Sequence, residues 1–236
     1  MSRIFFEKNY ILIKPSYKQT KEHKHNMLHL FVGKDTLTLS CEKGKVSGRV
    51  IALDKDIIHR APEGELDYFL FIDPTTELAT RIKTEFTKEI GVFAWNDESL
   101  YLGEDFSPDM VKTRLSHFFG EGRFVKNEGL DPRITEIMNR IDSFEFRGKR
   151  VSDLAMEYGY SESYLAHLFK RETGIPLKNY MLMRQFEYAW IKINEGQKIT
   201  DAVLDAGFGS SSHFSDVCQR MTGVSVMEVM REKADL

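Results

Sequence analysis

The 236-residue chain has only two cysteines, Cys41 and Cys218. They lie far apart and form no Cys-x-x-Cys pair, so zinc fingers and disulfide frameworks drop out and a reducing cytoplasm fits. No run of about 18 apolar residues occurs, so no membrane span is expected. The opening MSRIFFEKNYILIKPSYKQTKEH lacks an apolar run with a small-residue cleavage site, so no secretory leader is expected. A glycine-rich phosphate loop, a G-x-S-x-G elbow and an H-E-x-x-H helix are all missing. An excess of positive charge is missing too: the net charge is −3. From Arg150 onward, 10 Lys and Arg stand against 12 Asp and Glu. Phosphate contacts normally supply most of a DNA-binding protein's affinity. A DNA reading must therefore rest on which face carries the charge, and it predicts modest, salt-sensitive binding. The remaining composition, 42% apolar and 29% charged, is ordinary for a globular protein with a real core. The length allows one large domain or two modest ones.

The chain does carry a duplicated pattern near its end. One copy is VSDLAMEYGYSESYLAHLFKRETG, Val151 to Gly174; the other is ITDAVLDAGFGSSSHFSDVCQRMTG, Ile199 to Gly223. Each has an early apolar pair (Leu154-Ala155; Ala202-Val203), a glycine turn (Gly159-Tyr160; Gly207-Phe208), a serine-rich helix start and a helix ending in Thr-Gly. A repeat of about 50 residues is the size of a supersecondary unit. Paired short helices with a turn between them are what DNA readers use to place a helix in the major groove. Between the copies, Leu177 to Glu195 reads as one long apolar helix, starting after Pro176 and stopping at Asn194-Glu195-Gly196. Such a rod sets the separation of the two units, to be compared with the ~34 Å repeat of DNA.

Residues 1–75 look β-rich. Apolar runs at Tyr10–Ile13, Leu28–Val32, Leu37–Leu39, Val50–Leu53 and Tyr68–Ile72 alternate with turn formers such as Gly33-Lys34-Asp35 and Glu42-Lys43-Gly44-Lys45. This predicts a small barrel or sandwich. Over 75–91, Leu78, Ile82, Phe86 and Ile90 recur at four-residue spacing and predict a helix. Two further helices are expected at Asp109–Phe119 and Pro132–Phe144, each behind a start signal, Ser107-Pro108-Asp109 and Asp131-Pro132. The expected class is α+β: a β-rich domain with trailing helices over 1–145, then an all-α domain over 146–236 with helix-turn-helix units at 151–174 and 199–223 joined by the helix 177–195.

The segments SESYLAHLFKRETGIPLKNY and GFGSSSHFSDVCQRMTGVS resemble the AraC/XylS family of bacterial transcription regulators, over roughly residues 148–231. The resemblance implies a cupin-like effector or dimerisation domain ahead of the DNA-binding domain, and RNA polymerase as a partner. In the first reading helix, Ser161 is expected to cap and Leu165, Leu168 and Phe169 to form core. By resemblance, Ser163, Ala166 and His167 face base edges, and Lys170 and Arg171 face phosphates. His167 stands where an arginine is frequent and is suited to donate to guanine. In the second, Ser210 caps, Phe214 and Val217 are core, and Ser211, Ser212, Ser215, Asp216 and Gln219 face out. Ser211, Ser212 and Asp216 are the base-facing positions by resemblance, with Arg220 nearer the backbone. The chain departs from the family pattern at Cys218-Gln219, where Phe-Lys is usual, at Ser225-Val226, where Ser/Thr-Pro is usual, and at Gln185, where the linker helix usually has arginine, with Arg184 beside it. The second reader is thus the less basic one.

Several readings compete. The duplicated helices also suit a protein-contact bundle or scaffold that no longer binds DNA, although exposed serines at two matching helix starts have no packing reason to recur. His23, His25 and His29 are all odd-numbered, and on one strand they would share a face. With His59 they are candidate metal ligands; ordinary pocket or surface histidines are the competing reading, and His29 stands where a cupin carboxylate is usual. A metal-dependent cupin enzyme fused to a DNA reader is the third reading, but no acid/base pair is evident. The two middle helices either cover the sheet or form a dimer face through Leu115, Phe118, Phe119, Ile134, Ile137, Met138 and Ile141. Cys41 reads as a buried or idle thiol. The expectation is a cytoplasmic, non-enzymatic, homodimeric regulator, an activator by resemblance. It binds double-stranded promoter DNA, needs no cofactor, makes no membrane contact and answers to a small-molecule effector by population shift.

Overall fold

The computed structural model describes residues 3–7, 9–15, 22–120, 125–222 and 226–227. Residue contacts divide the chain into two compact units: Met1–Asn127 with Arg220–Leu236, and Glu128–Gln219.

The first unit is built on a six-stranded antiparallel sheet. Its strands are β1 (Arg3–Glu7), β2 (Tyr10–Lys14), β3 (Leu28–Cys41), β4 (Gly44–Leu53), β5 (Leu66–Ile72) and β6 (Val92–Trp95), in the order β1-β2-β5-β3-β4-β6. Alternate residues face opposite ways. One face carries Leu12, Leu28, Leu30, Val50, Ala52 and Leu70 into a core shared with helices α1 (Glu77–Ile82) and α2 (Pro108–Phe119). The other face carries His29, Phe31, Phe69 and Phe71, and these are buried as well. Burial on both faces explains why the strands read as continuous apolar runs.

The structure differs from the sequence reading in four places. Gly33-Lys34-Asp35 is no chain-reversing turn. The runs on either side of it belong to one 14-residue strand whose pairing with β4 shifts register between Val32 and Leu37. A bulge absorbs the extra residues, and a Cβ at Gly33 would sit 2.6 Å from the Asp35 carbonyl oxygen. Strands β1 and β6 were not foreseen. The helix after β5 keeps its phase only through Ile82; Lys83–Thr87 is a π-helical turn, so Ile90 leaves the core face and is 58% exposed. Finally, Leu115 and Phe119 are buried in the core with the sheet, Ile134, Ile137, Met138 and Ile141 are buried too, and Phe118 is half-buried. The buried side chains among these are not available as a dimer face.

The expected caps hold. Ser107 accepts from the Met110 amide at 3.2 Å, and Asp131 accepts from the Arg133 amide at 2.9 Å. Among the described residues, no helix is long and apolar enough to cross a membrane.

The second unit is helical: α3 (Pro132–Asp142), α4 (Val151–Glu157), α5 (Glu162–Thr173), α6 (Leu177–Asn194), α7 (Ile199–Asp205) and, running past its edge, α8 (Ser211–Thr222). Helix α3 groups here. Asp142, its last residue, pairs with Arg184 of α6 at 2.9 Å and accepts a hydrogen bond from the Tyr180 hydroxyl. Phe144, which the sequence reading put inside this helix, has φ +64° and lies beyond its end.

Candidate nucleic-acid interface

The first helix pair closes at Gly159, whose φ of +70° is the left-handed conformation that favours glycine. The Tyr160 amide then returns to the Ala155 carbonyl at 2.8 Å, which satisfies one of the free carbonyls at the end of α4. Ser161 caps α5 by accepting from the Tyr164 amide at 3.2 Å. Leu165, Leu168 and Phe169 point inward with Leu154 and Ala155, all buried. Gly174 ends the helix at φ +72°. The outer face therefore consists of Glu162, Ser163, His167, Lys170 and Arg171, all exposed, with Ala166 half-buried. Arg171 lies 3.0 Å from the Glu172 carboxylate, so some of its charge is answered locally.

The second pair repeats this construction. Gly207 turns at φ +86°, the Phe208 amide returns to the Val203 carbonyl at 3.1 Å, and Ser210 caps α8 by accepting from the His213 amide at 3.1 Å. Phe214, Val217 and Cys218 are buried. Ser211, Ser212, Asp216, Gln219 and Arg220 are exposed and Ser215 is half-buried. Gly223, which ends the repeat in sequence, lies outside the described residues.

Both pairs are fixed to α6. The Phe169 ring packs on Tyr180, one turn into that helix, with centroids 5.3 Å apart. Phe214 packs on Phe186 at 5.5 Å and Trp190 at 5.8 Å, nearer its other end. At 18 residues the helix is about 27 Å long. Arg184 is buried in it, bridging Asp142 and Glu187, and its guanidinium lies 5.1 Å from the Tyr180 ring centroid. Arg147 ties the strap before α4 to the second pair, donating to the Asp205 carbonyl and lying over the Tyr188 ring.

Three residues beside the reading helices were missed. Tyr164 is 46% exposed on the first turn of α5. Arg133 stands next to it, with Asp131, Tyr160 and Tyr164 holding the guanidinium pKa above its ordinary value. His213 is exposed on the first turn of α8. The aromatic pair at Tyr160 and Tyr164 was the sequence signal for the first two; nothing in the sequence marked the third.

In the first unit the histidines do come together, but from three different segments. His23 forms an isolated bridge with His59, His25 lies in the connection before β3, and His29 is on β3. The shared-strand premise is thus corrected, while the clustering stands. Ring centroids are 4.6 Å apart for His23 and His25, 4.6 Å for His23 and His59, and 4.7 Å for His25 and His29. Burial, reinforced by the neighbouring imidazoles, holds His25 and His29 well below the usual histidine pKa. Burial also lowers His59 to about 4, against the opposing hydrogen bond to the Ile57 carbonyl. Beside His59 an open cavity of about 970 Å³ is lined by Thr38, Ser40, Cys41, Ile58 and Arg60 among others.

Residues 154–232 match the family described as a helix-turn-helix domain. No curated protein matches the chain. Together with the two capped pairs on α6, the domain match defines the class of this part of the chain: a helix-turn-helix domain. The particular fold is that of ToxT from Vibrio cholerae. An apo ToxT structure is 18% identical, aligning over 95% of this chain and 98% of its own, with a TM-score of 0.56. A second ToxT structure gives 17%, the same coverage and 0.55. A third, bound to (E)-4-(8-methylnaphthalen-1-yl)but-3-enoic acid, gives 13%, 98% of both chains and 0.50.

Proposed function

We propose that the chain reads double-stranded promoter DNA in a sequence-specific way, inserting α5 and α8 into successive major grooves. The observation that carries this is the matched pair of serine-capped helices, each with a polar outer face and each packed on the same rigid α6. Ser163, Ala166 and His167 on α5, with Ser211, Ser212 and Asp216 on α8, face base edges. Lys170, Arg171 and Arg220 face phosphates, and Ser215 and Gln219 flank the contact. An aspartate repels phosphate unless it accepts from cytosine N4, so α5 carries more of the specificity. Footprints of His167→Ala and Asp216→Ala protein test this. Loss centred on the α5 half-site is expected, and equal loss at both half-sites overturns it.

The division of labour is 1–145 for effector binding and dimerisation and 146–236 for DNA, with α3 as a brace for the latter. The protein is a cytoplasmic, non-enzymatic activator that works as a homodimer and contacts RNA polymerase. A small molecule is the effector; the cavity beside His59 and the small acid held by the like-folded ToxT support this. An effector that prefers one domain arrangement shifts the population competent for DNA.

A further inference from the structure

We propose that His23, His25 and His59 form a binding site for a divalent transition-metal ion of the zinc class, with His29 as the adjoining imidazole. This site lies in the first unit and does not depend on the DNA reading.

Three observations converge on it. The first is geometric: one ring nitrogen from each of His23, His25 and His59 lies within 4.8 Å of the others. Ligands about 2.0–2.1 Å from a tetrahedral ion sit roughly 3.3 Å apart, so rotation of three side chains by about 1 Å closes the site. The backbone already holds two of them together, because His23 and His59 exchange amide-to-carbonyl hydrogen bonds in both directions at 3.0 Å.

The second is orientation. His59 Nδ1 lies 2.9 Å from the Ile57 carbonyl oxygen. A carbonyl only accepts, so Nδ1 carries the hydrogen and the Nε2 lone pair is left for a ligand bond. A backbone carbonyl fixing the tautomer from behind is the usual arrangement around a metal-bound imidazole.

The third is unmet polarity. Both ring nitrogens of His29 are buried with no hydrogen-bond partner. Native proteins rarely bury polar atoms unpaired, and a cation beside the ring can take up its one lone pair. The His25 and His29 rings meet the aromatic faces of Phe31 and Phe71 on the other side, which keeps that wall dry.

The donor set selects the ion. Neutral imidazole nitrogen without a carboxylate suits zinc, cobalt, nickel or copper and disfavours calcium and magnesium. Three histidines leave at least one coordination position, which His29, water or a small anion from the neighbouring cavity can fill.

The test uses the full chain without a polyhistidine tag, stripped with chelator and titrated with Zn²⁺ and, for its visible spectrum, Co²⁺. One equivalent per chain is expected, with nitrogen-ligand cobalt bands and a rise in Tm on loading. His25→Ala and His59→Ala should each weaken binding at least 100-fold. His23→Ala guards against misfolding, because His23 is only partly buried; it should keep its metal-free Tm and lose the bands. His117→Ala, outside the cluster, should change nothing. Absence of stoichiometric binding, or binding that survives both His23→Ala and His59→Ala, overturns the proposal.

Discussion

Gly159 and Gly207 hold the same place in the two repeats and the same left-handed backbone, yet their surroundings differ. A Cβ on Gly159 meets nothing within 4 Å. A Cβ on Gly207 falls 2.3 Å from the Gly148 Cα and 2.4 Å from its amide nitrogen. The left-handed conformation costs a non-glycine residue roughly 1–2 kcal/mol. Restricting the unfolded chain returns about 0.4–1 kcal/mol. Gly159→Ala should therefore destabilise by about 1 kcal/mol. Gly207→Ala carries the same cost and must also push the facing backbone away by about 1 Å to reach an ordinary contact distance. Forced overpacking adds roughly 1–3 kcal/mol, for a total of about 2–4 kcal/mol. For a helical unit of this size each kcal/mol shifts Tm by about 4–8 °C, so losses of roughly 4–8 °C and roughly 8–32 °C separate the two variants. Thermal unfolding of full-length protein followed by circular dichroism measures them, and hydrogen exchange should show α7 and α8 loosening first in Gly207→Ala. Equal Tm losses would refute the seating of the second pair on the Gly148 backbone.

Other perturbations follow from the same geometry. Ser161→Ala and Ser210→Ala should each cost about 1 kcal/mol in denaturant titrations, because each removes a helix cap. Arg184→Ala should cost about 3 kcal/mol, since it breaks a largely buried ion pair; Arg184→Met, which keeps the packed stem, should restore only the packing contribution. Lys170→Ala should weaken DNA binding across all sequences and lower the slope of affinity against salt by about one. Arg171→Ala should lower it less, because Glu172 already pairs with that guanidinium.

The helical half was legible because its signals are local. Apolar spacing, glycine turns and serine caps each act within a few residues, so Leu165, Phe169 and Phe214 could be placed as core and Ser161 and Ser210 as caps. The sheet was less legible because its pairing is distant. Gly33-Lys34-Asp35 has the composition of a turn, and only pairing with β4 and β5 carries it straight through as a bulge. The phase slip at Lys83–Thr87 has no composition signal, so Ile90 was read onto the wrong face. The apolar stripes of α2 and α3 show that something covers them without showing what, and Leu115 and Ile137 are covered within this chain. The histidines were grouped correctly for an incomplete reason: the His23–His59 bridge, more than shared strand parity, gathers them.

Whether two helices on one rod read DNA is decided by selection from random double-stranded DNA, using purified full-length protein at two salt concentrations. The predicted result is an enriched motif with two half-sites about one helical turn apart, ~10 base pairs, retained at low salt and lost at high salt. Retention of DNA without any enriched motif, or no retention at either salt, would contradict it.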